Sequence, residues 1–345
     1  DADRACGVGH GVEPAAAGVL LELLRLLQRL SAGGELGGAT TLIAEHVTPR
    51  KRALYAAAPA VGGSLGFAAA SGTVAIVMTL TTDAQMADWG WRIAFLLSVP
   101  LPLLALGARP RVPEDAVEQS IDRQKVRRLP IFEVVRRQPR AIVVTACLSL
   151  VNAGTTYVSV TYLSIHLIKV NGYPSSYVYW ATMGVAIMSA LVAPLCGAWA
   201  DRVGIKRVLW VGLLGYLVIA YPVLAVMAWG NMTLAFIAFL LFGLMNPFIA
   251  VAMFALVPRY FDREVRYSGV ALGCNIGVVV AGLGPFIATW LVATTGSVNA
   301  PAFFVIAIVL VAAASLLATP PRDEMEASEQ ADIIEPDQIP GGITQ

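Results

Sequence analysis

The chain has 345 residues, 57% of them hydrophobic and 14% charged, with a formal net charge of +1 and a mean hydropathy of +0.70. Soluble globular domains carry about a quarter charged residues, so a soluble enzyme is excluded, and a chain without basic excess gives nucleic-acid binding no support. Four cysteines without motif spacing, Cys6, Cys147, Cys196 and Cys274, imply neither a disulfide framework nor a zinc site.

Apolar runs approaching or exceeding the length of a hydrocarbon core, about 20 residues, recur along the chain with short polar breaks. The first, Gly18 to Ala44, carries Glu22, Arg25, Arg29 and Glu35, each costing about 3 kcal/mol at a helix centre. By itself it also fits an amphipathic surface helix. Eight clear runs follow: Ala53 to Leu80, Ile93 to Ala108, Ala141 to Leu163, Ser176 to Ala200, Val208 to Ala228, Leu234 to Val257, Tyr267 to Ala293 and Ala300 to Thr319. Together the runs predict an all-α membrane protein of about nine transmembrane helices.

The breaks alternate in charge. One set holds Arg50, Lys51 and Arg52, then nine basic residues from Arg109 to Arg140, then Arg202, Lys206 and Arg207, then Arg259, Arg263 and Arg266, then Arg322; the other holds only Arg92 and Lys169. Because basic loops stay cytoplasmic, the segment 109–140 and the tail face the cytosol of a multi-pass protein of the plasma (inner) membrane. Nine crossings then put the N-terminus outside, and a start at Asp1 without an initiator Met or signal peptide predicts further chain upstream. Residues 1–108 read as a partial N-terminal bundle of three helices, 109–140 as a cytoplasmic linker and 141–320 as a six-helix bundle. Residues 321–345, with seven acidic residues and one basic, read as a disordered tail. Trp89, Trp91, Tyr173, Tyr177, Tyr179, Trp180 and Trp229 gather near the external breaks and suit an interfacial belt, though helix packing fits some of them equally.

The sharpest motif is Gly197-Ala-Trp-Ala-Asp201-Arg202-Val-Gly204-Ile-Lys206-Arg207. Asp201 can close one helix and face the positive N-terminal end of a neighbour, Gly204 allows a tight reversal, and the cations hold the loop inside. The neighbour expected for Asp201 is the segment beginning at Tyr267, through its exposed N–H groups or Arg266.

The motif resembles the signature loop of the major facilitator superfamily, G-x-x-x-D-R-x-G-x-[KR]-[KR], and more closely the metabolite:proton symporter family within it. The stretches 25–39, Ala44-Glu45-His46 with Arg50 and Arg52, Trp89-Gly-Trp91-Arg92-Ile-Ala-Phe95, 265–275 and 285–291 carry the same resemblance. On the family's twelve-helix plan the first run matches the fourth helix and the last the twelfth, which leaves the first three without counterpart. Departures from the family pattern are Glu22, Arg29, Ala94, Asp262 and Cys274.

Several residues are candidates for the substrate path. Glu22, Arg25 and Arg29 fall within about 60° on one helical face, with Glu35 toward the other side. A buried Arg with a nearby carboxylate suits an anionic group and a transferable proton; because Glu22 and Arg29 break the family pattern, the resemblance favours Arg25 and Glu35, with Gln28 on the same segment. The glycine ladders 33–38 and 269–277 are small-residue packing faces; Ala39-Thr40 stands where a phosphate loop needs Lys-Ser or Lys-Thr. Asn152, Thr156, Tyr157, Ser159, Thr161 and Tyr162 form a polar stripe that serves either as interhelical glue or as a cavity wall. Asn152, Tyr157 and Asn275 are the cavity candidates, whereas His166 is expected at the interface.

Two bundles rocking around a midplane site make a secondary transporter, with a small molecule, a proton and the bilayer as partners and no cofactor. The resemblance implies proton-coupled symport of small carboxylates or zwitterions, and the absent helices imply a transport-incompetent remnant as the alternative. A membrane enzyme finds no support, since the three histidines form no His-x-x-His pattern and no Asp-x-x-Asp occurs.

Overall fold

The computed structural model describes residues 47–100, 130–262 and 265–319, together with residues 40 and 107. Among the described residues every regular element is helical. The chain runs through α1 (Arg52–Leu80), the short α2 (Trp91–Leu96) and α3 (Pro130–Arg137), then α4 (Pro139–Lys169), α5 (Ser175–Val203), α6 (Ile205–Met227), α7 (Met232–Tyr260), α8 (Arg266–Thr295) and α9 (Pro301–Ala318). Seven of these, α1 and α4 to α9, are long and apolar enough to cross a membrane, and each coincides with an expected run. The run Gly18 to Ala44 lies outside the described residues except Thr40. The run Ile93 to Ala108 is described only as far as Pro100 and at Gly107. Residues 109–129 and the acidic tail also lie outside.

Connections of one to five residues join α4 through α9, so consecutive helices are antiparallel neighbours. The starts of α4, α6 and α8 and the ends of α5, α7 and α9 therefore share one side. The start of α1 joins them there, because Asp201 at the end of α5 binds its first turn. Arg50 to Arg52, Arg140, Arg202, Lys206, Arg207, Arg259 and Arg266 fall on this side, and Arg92 and Lys169 on the other. Trp89, Tyr177, Trp180 and Trp229 are exposed on that other side, as an interfacial belt requires.

One backbone break inside these helices is compensated by a side chain, as suits a hydrocarbon environment. Pro247 in α7 has no N–H to give the Gly243 carbonyl four residues earlier. Ser189 of α5 donates to that carbonyl instead, at 3.2 Å, and the helix restarts at Asn246. In α4 residues Val158–Leu163 form a π-helical turn.

The 269–277 ladder is a packing face: Gly273 and Gly277 meet α4, and Gly269 meets the Phe261 ring. A Cβ on Gly273 would lie 2.6 Å from Thr145 Cγ2, and one on Gly277 would meet the Ala146 carbonyl and lie 2.7 Å from Leu150 N. Ser149 closes the same contact by donating to the Cys274 carbonyl at 2.8 Å.

Candidate functional site

The signature loop forms a latch between α5 and α1. Asp201 sits in the last turn of α5, and its two carboxylate oxygens accept the N–H groups of Ala53 at 2.9 Å and Leu54 at 3.0 Å. These are first-turn N–H groups that α1 cannot satisfy internally, and the helix dipole adds attraction for the negative charge. Gly197, one turn earlier, makes the approach possible. A Cβ there would lie 2.7 Å from the Ala53 carbonyl oxygen and 2.8 Å from Leu54 Cα, so any side chain would push the two backbones apart. Gly204 then reverses the chain at φ 102°, in the region that only glycine adopts without strain.

This corrects the expected partner of Asp201. The start of α8 does not receive it: Gly269 there packs against Phe261, and Asp201 is taken up by the first turn of α1. Arg266 donates to the Phe261 carbonyl of its own turn at 3.4 Å. Around the latch, Arg202 and Arg207 are exposed and Lys206 is half-buried; Arg207 also donates to the Val203 carbonyl at 3.0 Å.

The opposite ends of α1 and α5 also touch, but differently. A Cβ on Gly72 would lie 2.5 Å from the thioether sulfur of Met183. Trp180 Nε1 reaches Thr79 Oγ1 at 3.4 Å, on an exposed surface. The seam is thus gripped by a carboxylate and backbone contact at one end, and by a flexible side chain and a long neutral hydrogen bond at the other.

Between these ends, at the midpoints of α4 and α7, lies a polar hub. Asn246 Nδ2 faces four oxygens of α4: Thr156 Oγ1 at 3.0 Å, the Asn152 carbonyl at 3.2 Å, Thr155 Oγ1 at 3.3 Å and Asn152 Oδ1 at 3.4 Å. Thr155 is fully buried, whereas Asn152, Thr156 and Asn246 keep part of their surface open. Of the sequence candidates, Asn152 belongs to this hub, and Tyr157 is half-buried at the edge of the π-helical turn. Asn275 is half-buried and donates to the Ala271 carbonyl of its own helix at 2.8 Å. Asn246 and Thr155 were not expected; the signal for Asn246 was a lone amide followed by proline inside a strongly apolar run.

The polar stripe on α4 does not keep to one face. Ser159 and Tyr162 are buried while Thr161 is exposed, as positions two residues apart on a helix point to roughly opposite sides. His166 is 4% exposed and stacks on Tyr162 at 5.9 Å; it is covered by protein, three residues from the Lys169 end of α4. Arg25, Gln28 and Glu35 lie outside the described residues. Within the seven described spans Asp201 is the only acidic residue, and among the described residues no group of three or more His, Cys, Asp or Glu is placed to hold a metal ion.

Comparison with known proteins agrees with this architecture. The family model of the Major Facilitator Superfamily matches residues 14–179 and 145–339. The ectoine/proline transporter ProP of Corynebacterium glutamicum is 30% identical over 315 residues, covering 87% of this chain and 62% of that protein. The inner membrane metabolite transport protein YhjE of Escherichia coli K12 is 33% identical over 285 residues, covering 80% of this chain and 64% of the relative. The shikimate transporter of the same organism is 31% identical over 308 residues, 87% of this chain and 70% of the relative. The chain thus spans a little over three fifths of the first two relatives, and all three are transporters rather than enzymes. The solved proton:xylose symporter XylE shares the fold, with a TM-score of 0.61 at 16% identity over 81% of this chain and 65% of its own. A latch built from the signature loop, antiparallel membrane-length helices and a family match across most of the sequence together place this chain in the major facilitator superfamily.

Proposed function

We propose that this chain forms the transport body of a proton-coupled symporter for a small carboxylate or zwitterion, working by alternating access. The observation that carries the reading is the Asp201 latch. It joins α1, which precedes segment 109–140, to α5, which follows it, so it ties together two parts of the chain that a rocking mechanism must separate. By the positive-inside rule the latched end is cytoplasmic and the Trp180 end external, in a plasma (inner) membrane. Residues 1–108 and 141–320 act as the two moving bodies, with 109–140 linking them at the cytoplasmic face.

The hub of Asn152, Thr155, Thr156 and Asn246, with Tyr157 and Asn275, supplies neutral donors and acceptors at mid-depth, suited to a polar substrate. Arg25 and Gln28 complete the path by holding the carboxylate. No carboxylate lies deep in the described spans, so the proton falls to Glu35 or Glu22 of the segment 18–44, whose neutralisation would couple proton and substrate affinity through one conformational equilibrium. The relatives transport proline, ectoine, betaine or shikimate, and these define the trial substrates here. The test is uptake of radiolabelled proline, glycine betaine and shikimate by the purified protein in vesicles, with and without an inward proton gradient. Gradient-stimulated uptake of at least one, lost in Arg25→Ala, is the expected result. Uptake indifferent to the gradient would remove the proton from the mechanism, and uptake unchanged in Arg25→Ala would remove Arg25 from the path.

A further inference from the structure

The Asp201 latch gathers an unbalanced charge. Asp201 binds Ala53 and Leu54, which brings Arg50, Lys51 and Arg52 beside Arg202, Lys206 and Arg207. Residues 47–52 and 201–207 therefore carry six cations against one carboxylate. Arg50, Lys51, Arg202 and Arg207 are exposed, and they stand on both sides of the seam: two lead into α1, one closes α5 and one opens α6. Juxtaposed cations repel, so holding the seam closed at this end calls for further negative charge.

The complement lies in the same chain. α9 ends at Ala318 on the latch side and packs against α6, whose first turn holds Lys206 and Arg207; neighbouring helix axes lie about 8–10 Å apart. Just beyond α9 come Asp323, Glu324, Glu326, Glu329, Asp332, Glu335 and Asp337, with Arg322 as the one cation. The thirteen residues from Thr319 to Ala331 can span at most about 45 Å. The acidic stretch therefore reaches every cation of the rim without being drawn tight, and tethering holds it there at an effective millimolar concentration.

We propose that the acidic segment 322–337 docks on this basic rim and bridges the α1 side of the seam to the α5–α6 side, reinforcing the closed latch. The docking follows from the latch geometry; only its effect on transport rests on the reading above. Carboxylates bound to Arg50 and Lys51 on one side and to Arg202 and Arg207 on the other have to release one set before the seam opens. The attraction weakens as salt shortens the Debye length from about 10 Å at 0.1 M to a few ångströms near 1 M.

Cross-linking reads the docking without any transport. In the full chain with its four cysteines replaced, Ala331→Cys and Val203→Cys are joined with a linker of about 10 Å, in nanodiscs of phosphatidylcholine. The expected cross-link falls at least fivefold when the seven acidic residues are changed to Asn or Gln, and likewise on raising NaCl from about 0.05 to 0.5 M. It should persist when labelled protein is diluted with unlabelled protein. Equal yield in the neutral tail variant would overturn the proposal, and so would loss on dilution, which would mean contact between two copies. Loss of the cross-link on adding phosphatidylglycerol to about 30% would overturn it by showing that the rim takes lipid headgroups. Retention in that lipid supports docking in a cell-like membrane.

Discussion

Gly197→Ala is the most direct probe of the latch. A methyl carbon at this position would lie 2.7 Å from the Ala53 carbonyl oxygen, whereas unstrained C···O contacts fall near 3.3–3.6 Å. The obstructing atoms are backbone, so relief requires α1 to withdraw by roughly 0.6–0.9 Å, on the C···O spacing just given. The same movement stretches the Asp201 bonds from 2.9 and 3.0 Å beyond the ordinary N–H···O range of about 2.7–3.2 Å. One methyl group therefore removes both bonds. Overpacking of this kind costs about 1–3 kcal/mol, and Asp201→Asn, which keeps one acceptor oxygen and loses the charge, about 1 kcal/mol by comparison with exposed helix caps. Spin labels at Lys51→Cys and Arg202→Cys report the ratio of latched to open protein, which should fall about fivefold or more in Gly197→Ala, since 1.4 kcal/mol is tenfold. Because the glycine variant has already broken the carboxylate bonds, the double variant should open little further, with a coupling energy of about 1 kcal/mol. An unchanged distance distribution in well-folded Gly197→Ala, or two strictly additive effects, would refute the pairing of glycine and carboxylate.

Asn246→Leu should cost about 1–2 kcal/mol of stability, since membrane hydrogen bonds average about 0.6 kcal/mol each, and should lower uptake far more than Phe248→Leu does; equal effects would make the hub mere glue. Gly277→Val should lower the thermal midpoint by several degrees because the new side chain meets the backbone of α4, whereas Gly62→Val, with open space around it, should not; this is read by thermal unfolding in detergent. Cysteines at Arg140 and Lys169 should be labelled from opposite sides of sealed vesicles, Arg140 from the cytoplasmic side, and labelling of both from one side would end the topology.

What was legible in the sequence follows the range of the physics involved. Membrane-length helices were readable because insertion depends on the composition of one contiguous run. Their shared side was readable because Lys and Arg act loop by loop. The latch motif announced its own chemistry, a carboxylate at the end of α5 seeking a helix N-terminus, but its partner lies 148 residues away. That partner is chosen by shape: Gly197 offers a notch that the start of α1 fills, while Gly273 and Gly277 of α8 face α4. The hub was half legible for the same reason. Asn152 stood out within a polar stripe, whereas Asn246, isolated in an apolar run, gains its meaning only from the α4 oxygens 90 or more residues distant. The burial of His166 was not legible either, because it depends on how the end of α4 packs, with the ring stacked on Tyr162.

The two ends of the α1–α5 seam differ in how they can yield. At the Asp201 end a backbone-to-backbone approach carries two short charge-assisted bonds, which weaken together over a displacement of less than an ångström, so this end behaves as a clamp that is either made or broken. At the other end Met183 can change rotamer against Gly72, and the 3.4 Å bond from Trp180 to Thr79 stretches at small cost because both partners are exposed to other donors and acceptors. A rigid-body rotation that opens the Trp180 end can therefore leave the clamp intact, whereas one that opens the Asp201 end has to break the clamp first. On the proposed alternating-access reading, the clamped state is the natural resting arrangement, and release of the α1 N–H groups from Asp201 is the step at which ligand binding has to contribute free energy.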